Sequence, residues 1–286
     1  MSVERFRKEC HIKLGKDAGS VTFAHSKSFS ENERYLMHLN NHIELYVFVD
    51  GDTDYVVEDE YISLEKGDAV IILPHEVHVP IVKSPCVYER FYMLFPLDAF
   101  SMFSIDPFIN YSSDKGHKIT LSPEDRNKFV KILFELSELC DREESSSLQL
   151  MRSGLVLQAL SLVFTTSENK NNGEKDFSLE LPRRLRDILK YINEHAQEIH
   201  SVEAIAKYFY LSQQYLSTLF KKYVGVNVNH YLRVKKISVA KGYLEKGATV
   251  AEACYECGFS DSSHFIRTFK KYVGMTPKQY KIMLKK

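Results

Sequence analysis

The chain is 286 residues long, 44% hydrophobic and 27% charged, with a formal net charge of zero. One hydrophobic core rarely grows past about 250 residues, so two domains are expected, and the composition excludes a disordered or fibrous chain. No apolar run approaches the roughly 20 residues that cross a bilayer, and the opening MSVERFRKEC is charged where a secretory signal is apolar, so a cytoplasmic protein with no membrane partner is expected.

Residues 20 to about 100 read as short β segments. Residues 42–49 are β-branched and aromatic, 55–57 and 61–64 follow, and 69–73 are continuously apolar. Asp50-Gly51-Asp52, Gly67-Asp68 and Pro74 punctuate them, which predicts an antiparallel sandwich or small barrel. In an extended strand the period of two places His38, Asn40, His42, Glu44 and then Tyr46 on one face, and His78 ends the later stretch Leu73-Pro74-His75-Glu76-Val77-His78. His38, His42, Glu44 and His78 carry nitrogen and oxygen donors that suit zinc, iron or manganese. The alternatives are a metal-free pocket that hydrogen-bonds a small polar effector such as a sugar, and histidines in a structural role. We adopt the metal-free pocket, with His38, Asn40, His42, Glu44, Tyr46 and His78 as effector-binding candidates and neither metal nor cofactor.

From Ser122 the period becomes helical. Ser122 is placed to cap, Pro123 suits the first helical position, and Phe129, Ile132, Leu133, Leu136 and Leu139 recur at helix spacing. A second helix over 146–164 is apolar on more than one face through Leu148, Leu150, Met151, Leu155, Leu157, Leu160, Leu162 and Val163, so its own domain and a second subunit are expected to cover it. SENKNNGEKDFSLE, residues 167–180, is polar with no surviving period and reads as a linker. The charge divides near it: residues 1–175 hold 19 basic and 28 acidic side chains, and residues 176–286 hold 19 and 10. A basic C-terminal module joined to an acidic N-terminal one suits a partner with phosphates. Cys10, Cys86, Cys140, Cys254 and Cys257 are too few and too scattered for a disulfide framework, and reduced thiols are the default.

Beyond the linker only helices are predicted, starting at 182–198 with the stripe Leu185, Ile188, Leu189 and Ile192. An internal repeat then appears: Phe-Lys-Lys-Tyr-Val-Gly occupies both 220–225 and 269–274. Two copies are too few for a solenoid and mark one supersecondary unit used twice. In the first copy Ser201 caps a helix bearing Val202, Ile205 and Ala206, a turn falls at Tyr210-Leu211-Ser212, and a second helix starts at Gln213. In the second, Thr249-Val250-Ala251-Glu252 is a capping box, and Gly258 ends the helix carrying Ala253, Cys254 and Cys257. Cys254-x-x-Cys257 lacks a second pair and reads as packing. At 100° per residue the second helices turn Leu216, Leu219, Phe220 and Tyr223, or Phe265, Phe269 and Tyr272, inward. The opposite faces hold Gln214, Ser217, Thr218 and Lys221 in one copy and Ser263, Ile266, Arg267 and Lys270 in the other, and Gln213 and Ser262 at the helix starts join them as candidates. Such faces suit a major groove, and these ten residues are the expected DNA contacts.

Residues 182–286 resemble the DNA-binding module of the AraC/XylS regulators through Ile205-Ala206, Tyr215-Leu216, Leu219-Phe220-Lys221-Lys222, Gly225, Cys257-Gly258-Phe259-Ser260-Asp261-Ser262-Ser263-His264-Phe265, Phe269-Lys270-Lys271 and Gly274-Met275-Thr276-Pro277-Lys278-Gln279-Tyr280. Cys254 stands where that family usually has Ala, and His264 where it often has Tyr. The resemblance implies two helix-turn-helix units joined by a long helix at about 228–246. Residues 20–100 are similar to the cupin-type sensor barrel of the same family, with Asn40 replacing its second histidine. The implied fold is α+β in two domains: a cupin-like β-barrel with a helical dimerisation segment over 1–166, a linker over 167–181, and an all-α double helix-turn-helix over 182–286. The implied function is a sequence-specific transcriptional regulator, not an enzyme. Its expected partners are operator DNA, a small effector, a second copy of the chain and, if it activates, RNA polymerase. A cupin isomerase or oxygenase with a DNA-binding appendage is the competing class and needs a complete metal site. A pure protein-interaction module gives no reason for two basic, groove-shaped helices.

Overall fold

The computed structural model describes residues 5–15, 18–29, 35, 37–38, 42–100, 112, 116–169 and 182–284; Asn40 and the expected linker from residue 170 onward lie outside these. The strands are β1 (Phe6–Lys13), β2 (Ser20–Phe29), β3 (Ile43–Asp50), β4 (Thr53–Val57), β5 (Glu60–Ser63), β6 (Ala69–Ile72), β7 (His78–Val82), β8 (Val87–Phe95) and β9 (Lys118–Ile119). They form an antiparallel six-stranded sheet, β1-β2-β8-β3-β6-β9, and a three-stranded sheet, β5-β4-β7. Among the described residues these are two separate ladders rather than one closed barrel.

Strand alternation sorts the N-terminal cores. Ile43, Leu45 and Val47 of β3 point to one face and join Phe23, Ile71, Phe91 and Met93. Two helices, α1 (Pro123–Leu139) and α2 (Ser146–Asn169), cover that face with Phe129, Leu133, Leu136, Val156, Leu160 and Val163. Tyr46 and Phe48 point the other way and meet Tyr55, Val57, Ile62 and Tyr88 between the sheets. Ser122 caps α1 by accepting from the Asp125 amide, with Pro123 at its start. Length and composition alone would let residues 146–166 of α2 cross a membrane, although polar residues interrupt the apolar run. Here α2 lies on the large sheet, and its Arg152 is fully buried.

Three expectations need correction. The strand β1 precedes residue 20; its sequence FRKECHIK alternates charged and apolar side chains, as an edge strand with one buried face should. The second helix runs to Asn169, into the expected linker, and Thr165 and Thr166 in its last turns donate their hydroxyls to the Ser161 and Leu162 carbonyls one turn back. His38 and His42 lie outside the strand that holds Glu44: β3 starts at Ile43, while His38 forms an isolated bridge with His78.

The C-terminal part holds α3 (Arg183–His195), α4 (Val202–Tyr208), α5 (Gln213–Tyr223), α6 (Val228–Glu245), α7 (Val250–Glu256), α8 (Ser262–Val273) and α9 (Pro277–Met283). Ser201, Ser212, Asn227, Thr249, Asp261 and Thr276 each accept a backbone N–H at the start of α4 to α9, contributing about 1 kcal/mol apiece. The long α6 is shared. Tyr231, Leu232 and Val234 enter the core of the first helix-turn-helix unit, while Ile237, Ala240 and Leu244 enter that of the second.

The three-stranded sheet docks on the first unit. Met37, Val56, Val77 and Val79 continue the apolar core of α3 to α6. Polar groups fix the contact: Glu58 receives Lys235 through its carboxylate at 2.5 Å and the Tyr231 hydroxyl through its carbonyl at 3.0 Å. The His75 carbonyl accepts from Ser238 at 2.7 Å, and its ring meets Glu245 at 2.9 Å. Glu58 and His75 both have positive φ, which turns their carbonyls outward onto α6.

Candidate nucleic-acid interface and effector pocket

Each second helix presents one buried and one open face. In α5, Leu216, Leu219 and Phe220 are buried and Tyr223 half-buried, while Gln213, Gln214, Ser217, Thr218 and Lys221 are exposed. In α8, Phe265, Thr268 and Phe269 are buried, while Ser262, Ser263, Ile266, Arg267 and Lys270 are exposed. The Thr218 hydroxyl donates back to the Gln214 carbonyl at 2.9 Å and keeps its acceptor lone pairs outward. The repeated Lys-Lys-Tyr closes both helices alike. Lys222 lies over the Tyr223 ring and Lys271 over Tyr272, which leaves Lys221 and Lys270 as the outward cations. Both pairs occupy the last helical turn, where a cation meets the negative end of the dipole.

The turns are held from within. Tyr210 takes a left-handed conformation between α4 and α5, with φ of 54°. Gly258 does the same between α7 and α8, and a Cβ there would sit 2.0 Å from the Gln197 carbonyl oxygen. Lys236 of α6 donates to the Gly258 carbonyl at 2.8 Å, so this lysine is spent on the fold rather than on a ligand. Cys254 and Cys257 are buried against carbonyls in the same core, and burial pushes the Cys257 thiol up to about 12. Both serve packing.

Of the effector candidates, the structure brings together His38, Glu44 and His78. The His78 ring bonds the Glu76 carbonyl through Nδ1 at 2.9 Å, which leaves Nε2 facing His38 Nε2 at 3.0 Å and a Glu44 oxygen at 3.3 Å. Burial works against the charged His78 ring, but the Glu44 carboxylate outweighs it and raises the pKa. Donor atoms of His38, Glu44 and His78 lie within 4.8 Å of one another and, among the described residues, are the set that could hold a metal ion. Tyr46 lies deeper, its hydroxyl 2.7 Å from that of Tyr88. His42 is not in the group. It is half-buried, and desolvation together with the nearby Lys241 ammonium lowers its pKa.

One charged cluster escaped the sequence reading. His117 Nδ1 lies 2.6 Å from Glu60, and its Nε2 lies 3.1 Å from Glu76. Desolvation opposes its charge, but the two carboxylates raise its pKa to about 10. These partners are 57 and 41 residues away in the chain, so no local motif could have shown them.

Comparison with known proteins agrees with the fold of the C-terminal part. A family described as a helix-turn-helix domain matches residues 205–282. The melibiose operon regulatory protein of Escherichia coli (strain K12) is 21% identical over 250 residues, which are 85% of this chain and 82% of that protein. The uncharacterized HTH-type transcriptional regulator YijO of the same organism is 38% identical over 96 residues, about a third of each chain (33% and 34%). Among solved structures, the C-terminal domain of the two-component response regulator yesN from Fusobacterium nucleatum is 34% identical, covering 33% of this chain and 93% of that one with a TM-score of 0.32. These named relatives are regulators rather than enzymes, which sets the cupin-enzyme alternative aside. The family match over residues 205–282, with the motifs and the duplicated unit found there, makes the C-terminal part of this chain a helix-turn-helix module of the AraC type.

Proposed function

We propose that the chain is a sequence-specific regulator in which residues 182–286 read operator DNA, residues 1–166 sense a small polar effector, and residues 167–181 link them. The observation that carries this reading is the pair of open helix faces, each holding hydrogen-bonding side chains followed by an outward lysine. Gln213, Gln214, Ser217, Thr218 and Lys221 serve one major-groove segment, and Ser262, Ser263, Ile266, Arg267 and Lys270 serve the next. A cytoplasmic location follows from the DNA partner, and RNA polymerase is a further partner if the chain activates.

The N-terminal unit acts as a cupin-like sensor. His38, Glu44, Tyr46 and His78 offer donors and acceptors beside aromatic rings, a chemistry that suits a sugar, and His42 and Asn40 remain effector candidates from the sequence. A relative named for a melibiose operon supports the same class. The β6–β7 loop that leads into His78 also carries His75 onto α6, which gives effector binding a short route to the helix between the two DNA-reading units. The test is selection of duplexes from a random pool by the full chain. An enriched motif in two segments about one helical turn, 10–10.5 bp, apart is expected. Retention of duplexes with no enriched motif would defeat the sequence-specific reading.

A further inference from the structure

We propose that Cys10 and Cys140 are a redox-active pair, oxidised by a hydroperoxide to an intramolecular disulfide that ties β1 to the end of α1. The two residues are 130 positions apart, yet the fold brings their sulfurs to 2.7 Å, with Cys140 donating. A disulfide bond of about 2.05 Å is then a closure of only about 0.7 Å. Cys10 is paired to Phe23 within the β1–β2 ladder, and Cys140 caps α1, so both sulfurs are held by regular structure. Cys140 is half-buried and Cys10 is 6% exposed, which admits a small oxidant and excludes a bulky one.

The surroundings give the two thiols different roles. Arg152, fully buried, donates to the Leu139 carbonyl at 2.7 Å and the Cys140 carbonyl at 3.2 Å, placing its charge beside the pair. The hydrogen bond from Cys140, aided by Arg152 and opposed by burial, holds the Cys10 thiol below its usual pKa, while the same hydrogen bond and burial push Cys140 up. Cys10 is therefore the attacking thiolate. Its sulfur takes the terminal oxygen of the hydroperoxide, the O–O bond breaks, and an alcohol or water leaves with a proton, giving Cys10 sulfenic acid. The Cys140 sulfur then attacks the Cys10 sulfur and loses its proton, and the sulfenic oxygen leaves as water. In sum two thiols supply two electrons to one peroxide.

The other cysteines are placed differently. Cys86 accepts from the Asp52 amide at 3.3 Å, and Cys254 and Cys257 are buried in the second helix-turn-helix unit. The experiment uses the reduced full chain, a few equivalents of hydrogen peroxide, quenching with N-ethylmaleimide, and peptide mapping by mass spectrometry. The expected product is a Cys10–Cys140 peptide pair lighter by two hydrogens and separated by dithiothreitol, with Cys86, Cys254 and Cys257 recovered as maleimide adducts. Recovery of Cys10 and Cys140 as separate adducts or as sulfinic acids overturns the proposal. In Cys140→Ser, dimedone should label Cys10; labelling of Cys140 in Cys10→Ser, with none on Cys10 in Cys140→Ser, overturns the assigned order of attack.

Discussion

Arg267 and Lys270 lie three positions apart on α8, so their outward directions differ by only about 60°. Their distances from the helix start separate their roles, because a recognition helix reads bases near its N-terminus and diverges toward the phosphates later. Arg267 is in the second turn, where its planar fork suits guanine O6 and N7, and Ser263 stands one turn earlier. Arg267→Ala should cost about 1–3 kcal/mol on the selected site and little on random DNA, whereas Lys270→Ala should weaken both equally and reduce the salt slope by about one unit. A salt titration of both variants on both DNAs decides; equal loss by Arg267→Ala on the two DNAs removes its base-reading role. Gly258 carries a second residue-level expectation. Alanine there adds the left-handed penalty of about 1–2 kcal/mol to a collision with the Gln197 carbonyl, while Gly247→Ala, with positive φ and nothing within 4 Å, adds the penalty alone. Urea unfolding should rank Gly258→Ala well below Gly247→Ala, and equal midpoints would show that the Gln197 contact is yielding. That Gly258 ends a helix was legible in the sequence; that Gln197, sixty-one positions earlier, stands against it was not.

The helix-turn-helix elements were legible because their apolar period and caps act within one or two turns, and because the unit is written twice, at 220–225 and 269–274. The N-terminal elements were legible only in outline. The strand β1 looks polar because only one of its faces is covered, and α6 buries Lys235, Lys236 and Lys241, which sequence reasoning assigns to solvent. Each is explained by a partner distant in the chain: Lys235 by Glu58, Lys236 by the Gly258 carbonyl, Lys241 by the Tyr280 ring. The same holds for His117, which ties the strand at Lys118–Ile119 to β5 through Glu60 and to the β6–β7 loop through Glu76. Its folded pKa of about 10 lies above the unfolded value near 6.5. The stability this clamp contributes is therefore complete below about pH 6.5 and is lost as the pH rises through 10. His117→Gln should lower the unfolding midpoint at pH 6 and flatten the decline between pH 7 and 10. An unchanged alkaline slope would mean that another group titrates there.

For the whole molecule, the unsolved surface is the outer side of α2. Val156, Ala159, Leu160 and Val163 pack on the sheet, yet Leu150, Met151 and Leu157 are 75%, 53% and 41% exposed on other sides of the same helix. Between them Gly154 leaves open space in which a Cβ would meet nothing. A helix with apolar groups on both sides is expected to be covered from both, and a second copy of the chain presenting the same stripe is self-complementary. Such a dimer would place four helix-turn-helix units on one DNA and raise the affinity for a doubled site by 10²–10⁴ without any new base contact. The double substitution Leu150→Glu and Leu157→Glu should convert a dimer to a monomer in sedimentation at micromolar concentration. It should leave the thermal unfolding of the N-terminal core nearly unchanged, since neither side chain is part of that core. On DNA, binding to a single site should be retained and the advantage of a doubled site abolished. A monomeric parent chain, or a variant that keeps the doubled-site advantage, would place the contact elsewhere than on α2.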